Sequence, residues 1–491
     1  MTMISPDAET GAVTEAGSLR ASSATEAHAD YGVLRWLVLA TFVVILNETI
    51  MVNAIPRLMV ELDVTARSAQ WLSTAFMLTM AVVIPVTGWF LQRVTTRAAF
   101  ATAMTVFCTG TLLAALAPSF GVLLAARVVQ AAGTAVMMPL LMTTLMTVVP
   151  ERDRGRVMGN VTLAMSVAPA LGPAVSGVVL HLLSWRWMFG LVLPVALVVA
   201  VLGMRRLTNH GTRVGGSVDV LSVLLVTVGF GGFVYGLSRL GAAQAGGLPP
   251  YPMIGVGLAA VAAFTARQLF LQRTDRPLLD LRTLSHRTYT ISLLVMAVAF
   301  MAMLGSMILL PLYLQDVRGL DALQTGLLVM PGGVVMGLMG PSVGRWFDRY
   351  GSRPLVLPGA AAIVAALAAF TTVSTTTPVV LVLAAHVLLM AGLAAVFTPV
   401  FTLGLGALPP HLYSHGSSLL GTLQQVAAAV GTAVVVTVMS RHATSLAEAG
   451  AGRVDALVGG MRWAFTVGAL LSVLVLLLVT RLPVRPAVAA E

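Results

Sequence analysis

The sequence predicts an all-α polytopic membrane protein: two six-helix bundles with two extra central spans, fourteen transmembrane helices in all. Three observations predict it. Of 491 residues, 58% are hydrophobic and only 10% charged, against roughly 25% charged in soluble domains. The apolar residues gather into runs of about 20, the length a helix needs to cross a bilayer. Arginine crowds the connections on one side of those runs and thins on the other.

No soluble core could hide this much apolar surface, because large soluble chains divide into domains with polar skins. The net charge of +10 does not mark a nucleic-acid binder, since its arginines are dispersed among short connections. All 29 basic residues are Arg, which reads as coding bias, not chemistry. Cys108 is the only cysteine, so no intramolecular disulfide forms.

In chain order, residues 1–32 are polar and lack the pattern of a signal peptide, so they read as a disordered cytoplasmic tail. Runs at 33–55, 68–91, 98–117, 121–149, 156–182 and 187–204 form a first bundle over 33–204. Runs at 218–238 and 251–271, the two weakest, form a two-helix insertion within 205–288. Runs at 289–314, 323–344, 355–373, 379–407, 417–440 and 462–480 form a second bundle over 289–480. Residues 481–491 are a second cytoplasmic tail.

With the N-terminus inside, one set of loops holds most of the arginines, among them Arg93, Arg97, Arg205, Arg206, Arg349 and Arg353. The other holds Arg57, Arg67, Arg186, Arg239, Arg318, Arg441, Arg453 and Arg462. Deleting either weak span alone would scramble this asymmetry. The pattern therefore places both termini in the cytoplasm.

Two cytoplasmic turns repeat one another. Pro85, Gly88, Arg93 and Arg97 align without gaps on Pro341, Gly344, Arg349 and Arg353. Transporters are commonly built from repeated halves about a central site. Glycine lets two helices approach closely at such a corner, and Gly351 follows in the second turn. Asp348 could accept hydrogen bonds from a neighbouring helix N-terminus or from Arg, latching one conformational state. A plain topology anchor is the other reading. The first turn carries Gln92 where the second has the acid.

An ionisable group in mid-membrane costs about 2.5–3.5 kcal/mol on insertion scales. Glu48 is the one acid well inside an apolar run, and Arg127 the one arginine similarly deep. Helix rise places Glu48 roughly 22 Å and Arg127 roughly 21 Å above the cytoplasmic face. A pair at one depth offsets its own desolvation. It could serve as a proton site or as a structural salt bridge. Asn47, Gln130 and Gln424 could line a cavity or join helices by hydrogen bonds. Gly172 and Pro173 lie mid-span, where Pro removes a backbone hydrogen bond and Gly allows close packing. His386 could titrate, though a packing role suits it better. His411 and His415, on the cytoplasmic side, form the best alternative for an enzyme site, with no acid partner expected nearby.

These features together resemble the major facilitator superfamily, specifically its fourteen-span drug:proton antiporters of the multidrug efflux type. The turn Gly344–Arg353 is similar to that family's loop signature. Arg127, Gln130 and Gly133 resemble its R-x-x-Q-G-x-G pattern, with Ala131 for one glycine. Gly172, Pro173 and Gly177 resemble its G-P-x-x-G-G signature, with Ser176 for one glycine. Trp185–Phe189 and the Pro311–Gln315 segment match two further family patterns. Two departures stand out: Gln92 replaces the usual acid, and Asn47 occupies the usual acid position with Glu48 one residue later.

The resemblance implies a monomer in the bacterial cell (inner) membrane that exports drugs or other amphipathic small molecules by proton-coupled, alternating-access antiport. Its partners would be substrate, protons and lipid, with no nucleic acid, cofactor or metal, and no enzymatic reaction. In that setting Gly172, Pro173 and Gly177 would shape the helix interface that seals the cavity. A symporter or uniporter of a sugar or metabolite on the same fold remains the alternative. No G-x-x-x-x-G-K-S loop is present, so ATP is not the direct fuel.

Overall fold

The computed structural model describes residues 32–51, 54–209, 215, 218–240, 249–274 and 276–484. The expected N-terminal tail and most of the C-terminal one lie outside the described residues. Among the described residues fourteen helices are long and apolar enough to cross a membrane, and none of these residues lies in a strand.

We number the spans α1 (Gly32–Ile50), α2 (Ala66–Arg93), α3 (Thr96–Ala115), α4 (Phe120–Val148), α5 (Arg154–Leu182) and α6 (Arg186–Arg206). The insertion is α7 (Val220–Leu240) and α8 (Pro250–Leu271). Then follow α9 (Arg287–Leu312), α10 (Ala322–Tyr350), α11 (Arg353–Phe370), α12 (Val379–Gly406), α13 (Tyr413–Glu448) and α14 (Arg453–Val479).

Helix starts use short polar side chains to satisfy the orphan amides of the first turn. Thr65, Thr95 and Asp219 accept from the amides of Ser68, Ala98 and Ser222. Asp321 and Gln324 close a capping box at α10. At the other end of α10, Gly351 adopts φ +81°, a conformation that glycine alone enters without strain.

Three boundaries differ from expectation. α1 stops at Ile50, and a short helix, Ile55–Glu61, follows the break. α13 and α14 run well past their apolar runs. Arg441 and Arg462 therefore lie within helices, and Arg453 opens α14, so none is a loop residue. Hydropathy marks where side chains leave the lipid, whereas the backbone ladder continues regardless of side-chain polarity.

In the first six spans α3 packs on α4 and α6, and α2 on α4. Eight helices later α11 packs on α12 and α14, and α10 on α12. Two seams join the halves, α2 with α13 and α5 with α10. α7 and α8 pack together, and α7 also lies against α2 and α13. Ala81, Val234 and Ala429 are buried where those three meet. The insertion therefore covers the α2–α13 seam.

A polar clamp holds the insertion together. Arg267 donates to both carboxylate oxygens of Asp219, at 2.6 and 2.7 Å. The Gln268 amide donates to the Ser222 hydroxyl at 2.7 Å. Its oxygen accepts from the amides of Leu278 and Leu279, at 2.7 and 3.1 Å. One side chain thus fixes the linker that leads into α9.

An even number of spans puts the start of α1 and the end of α14 on one face, which we call the tail face. There Ser352 donates to the carbonyls of Val484 and Pro483, tying the last described residues to the α10–α11 turn.

Candidate functional site

Glu48 sits in the last turn of α1 and is half-buried. Arg127, on α4, is 1% exposed. Their charges interact across the first half, with no direct ion pair between them among the described residues. Arg127 instead donates to the Gln130 amide oxygen at 2.9 Å, and the Gln130 amide donates to the Thr111 hydroxyl at 2.9 Å. The guanidinium also lies over the Phe76 ring, 4.2 Å from its centroid. Its Nε has no partner. Such an arrangement leaves Glu48 free to change protonation without first breaking a bidentate bridge.

Gln130, one of the cavity candidates, is fully buried with both ends of its amide engaged. In this structure it is a bridge inside the first half, not part of an open wall. Asn47 is also fully buried, and neither atom of its amide has a partner. Gln424, on α13, is half-buried with its amide nitrogen unpartnered.

Close helix approaches frame the charged pair. A Cβ at Gly133 would lie 2.6 Å from backbone atoms of Ala103 and Phe107, so α4 rests directly on α3. A Cβ at Gly172 would lie 2.5 Å from the Thr49 hydroxyl, one residue beyond Glu48. Gly177 has nothing within 4 Å, and the Pro173 side chain lies outside the described residues. α5 continues unbroken through both. His386 is buried and its Nε2 donates to the Val329 carbonyl at 3.2 Å, joining α12 to α10.

On the tail face, Asp348 crosses from α10 to the start of α5. Its carboxylate accepts from the amides of Gly155 at 2.9 Å and Arg156 at 2.7 Å. The N-cap residue of α5, Asp153, supplies no side-chain cap of its own. One half therefore caps a helix of the other, where the helix dipole favours negative charge. Behind the cap, Gly155 meets Gly344 and Gly159 meets Gly340 with backbones in contact. Arg349 lies over the Tyr350 ring at 5.2 Å, and Arg353 opens α11, exposed.

The other seam is built differently. Gly88 faces His415 and Ser418 of α13, where a Cβ would lie 3.1 Å from either side chain. The Gln92 amide donates to the His411 carbonyl at 3.0 Å. Arg93 folds back over Trp89, donating to its carbonyl at 3.2 Å. The Arg97 amide donates to Asn209 at 3.3 Å. An acid does reach this seam, but from the insertion: Asp280, 3% exposed, interacts electrostatically with His415. Burial opposes its charge, yet hydrogen bonds from Arg282 outweigh that and hold its carboxyl below the usual range.

Of the α5–α10 seam the sequence pointed to Gly344 and Asp348, but not to Gly155, Gly159 or Gly340, and it passed over Thr111 and Asp280. The glycines had a signal. Gly155 and Gly159, like Gly340 and Gly344, stand four apart, the spacing at which membrane helices approach closely.

The sequence profile of the Major Facilitator Superfamily matches residues 37–432. The lincomycin resistance protein LmrB of Listeria monocytogenes is 38% identical over 89% of this chain and 94% of its own. The multidrug resistance protein B homolog of Mycobacterium tuberculosis is 31% identical over 86% and 82%. Among solved structures, the proton:xylose symporter XylE superposes with a TM-score of 0.64 at 14% identity, covering 92% of this chain and 96% of that one; this likeness concerns the fold alone. The fold and its polar core are those of a multi-pass membrane transporter, and the chain belongs to the major facilitator superfamily. Its relatives are transporters of small molecules, several named for drug resistance, and not enzymes.

Proposed function

We propose that the protein exports drugs or other amphipathic small molecules in exchange for protons, across the bacterial cell membrane and with its tail face in the cytoplasm. The observation that carries this reading is Glu48: a half-buried carboxylate in the last turn of α1, facing the charge of Arg127 without being locked to it. The drug-resistance names of the relatives favour an amphipathic substrate, and the arginine asymmetry favours a cytoplasmic tail face.

With the tail face open, substrate binds while Glu48 is ionised. The halves then swing about the two seams. The arrangement described above, with both seams joined at the tail face, is the outward limb of the cycle. A proton binds Glu48 from outside, the carboxylate loses its hold on a cationic substrate, and the proton is carried inward. For an uncharged substrate each proton carried inward gains about 2.3 kcal/mol per 100 mV of membrane potential; one-for-one exchange with a monovalent cation moves no net charge and draws on the pH gradient alone. Binding is offset by protonation at one group, so coupling needs no direct contact between proton and drug.

Proteoliposomes with an imposed pH gradient test the reading. A dye or lincosamide should move against the proton flux, and collapse of the gradient with an uncoupler should stop it. Uptake in the same direction as the protons, or indifference to the uncoupler, would indicate a symporter or uniporter.

A further inference from the structure

Far from the charged pair, the tail-face ends of α9 and α14 border a cleft of about 620 Å³. Arg287, the first residue of α9, lines one side, and Arg481, two residues beyond α14, lines the other. Both are exposed. Neither guanidinium has a partner among the described residues. The hydroxyl of Ser285 also lines the cleft without a partner among them, whereas Thr290 is already bonded to the Leu284 carbonyl at 2.7 Å. The N-cap of α9, His286, offers its helix no side-chain cap, so the positive end of the helix dipole adds to the two arginines.

The rest of the lining is apolar. Ile291, Leu477 and Leu478 form the wall on the membrane side, and Leu477 is 60% exposed. The cleft is therefore cationic at the helix ends and greasy one turn deeper. A free phosphate would use only the first part, and a neutral lipid only the second. An anionic phospholipid uses both.

We propose that this cleft binds an anionic phospholipid, with its phosphate between Arg287 and Arg481 and its acyl chains along Ile291 and Leu477. The bound lipid bridges the ends of two helices that, among the described residues, have no polar link at this face. Proton coupling plays no part in the argument, so this proposal and the one above stand or fall separately.

The test uses the full chain, purified in detergent and titrated with dioleoylphosphatidylglycerol or dioleoylphosphatidylcholine, with retained lipid counted by native mass spectrometry. Phosphatidylglycerol should be retained preferentially. At about fivefold per arginine near an anionic headgroup, the double variant R287Q/R481Q should lose about 25-fold in affinity for it. R287K/R481K, which keeps the charge, should retain most. Millimolar inorganic phosphate should not displace the lipid. Equal retention of the two lipids, unchanged affinity in R287Q/R481Q, or displacement by inorganic phosphate would each overturn the proposal. Should the double variant fail to fold, R481Q alone, altered beyond the helix end, carries the test with an expected loss of about fivefold.

Discussion

The Asp348 carboxylate accepts the amides of Gly155 and Arg156, so the second half of the protein caps a helix of the first. At the matching corner of the other half, Gln92 donates to the His411 carbonyl. The two seams are alike in topology and opposite in the direction of their hydrogen bonds.

That difference should be measurable. Hydrogen bonds to a charged group contribute roughly 1.5–3 kcal/mol, neutral ones about 1 kcal/mol. Asp348→Ala removes two of the first kind, and Gln92→Ala one of the second. In hydrogen–deuterium exchange, Asp348→Ala should speed the amides at the start of α5 at least tenfold. Gln92→Ala should speed those around residues 410–416 by only about fivefold, since about 1.4 kcal/mol is a tenfold change. Equal effects would mean that charge adds nothing to the first seam.

Close backbone contact is the second element of the α5–α10 seam. Gly159→Leu places a side chain where the Gly340 backbone now lies. The variant should insert and remain folded yet fail to close at the tail face. A single cysteine introduced at Ser166 in a C108A background should then react with a thiol reagent from that face, and transport should fall to background. An unreactive cysteine together with full transport would contradict the packing described.

The insertion offers a third measurement. Arg267→Ala leaves Asp219 without its bidentate partner and loosens α7 from α8. Because both side chains keep some contact with water, at 30% and 20% exposure, solvent screening keeps the cost modest. Exchange at residues 277–286 should quicken along with α7, since Gln268 ties the linker to that clamp. A change confined to α8 would show that the linker is held by other means.

Much of this was legible in the sequence. Hydropathy and arginine placement located the spans, because lipid selects side chains along their whole length. The repeat of Gly88 and Arg93 at Gly344 and Arg349 foreshadowed the paired seams. Helix rise alone brought Glu48 and Arg127 to one level, and in the fold their charges interact. Other features depend on contacts no local pattern encodes. Asp280 reaches the α2–α13 seam only because Gln268 folds the linker back. Gln130 read equally as a cavity wall or as a link between helices, and only the fold shows which, because its partner Thr111 lies on another helix. The reach of α13 and α14 beyond the apolar runs was hidden because polar residues also form helix.

The central claim is that Glu48 carries the coupling proton, and Glu48→Gln tests it most directly. The substitution keeps the shape of the side chain and removes its charge, so insertion and folding should be unaffected. In proteoliposomes under an imposed pH gradient, the variant should lose gradient-driven export, and its hold on a cationic substrate should weaken as it does when Glu48 is protonated. Export by Glu48→Gln at the wild-type rate, still driven by the gradient, would contradict the account.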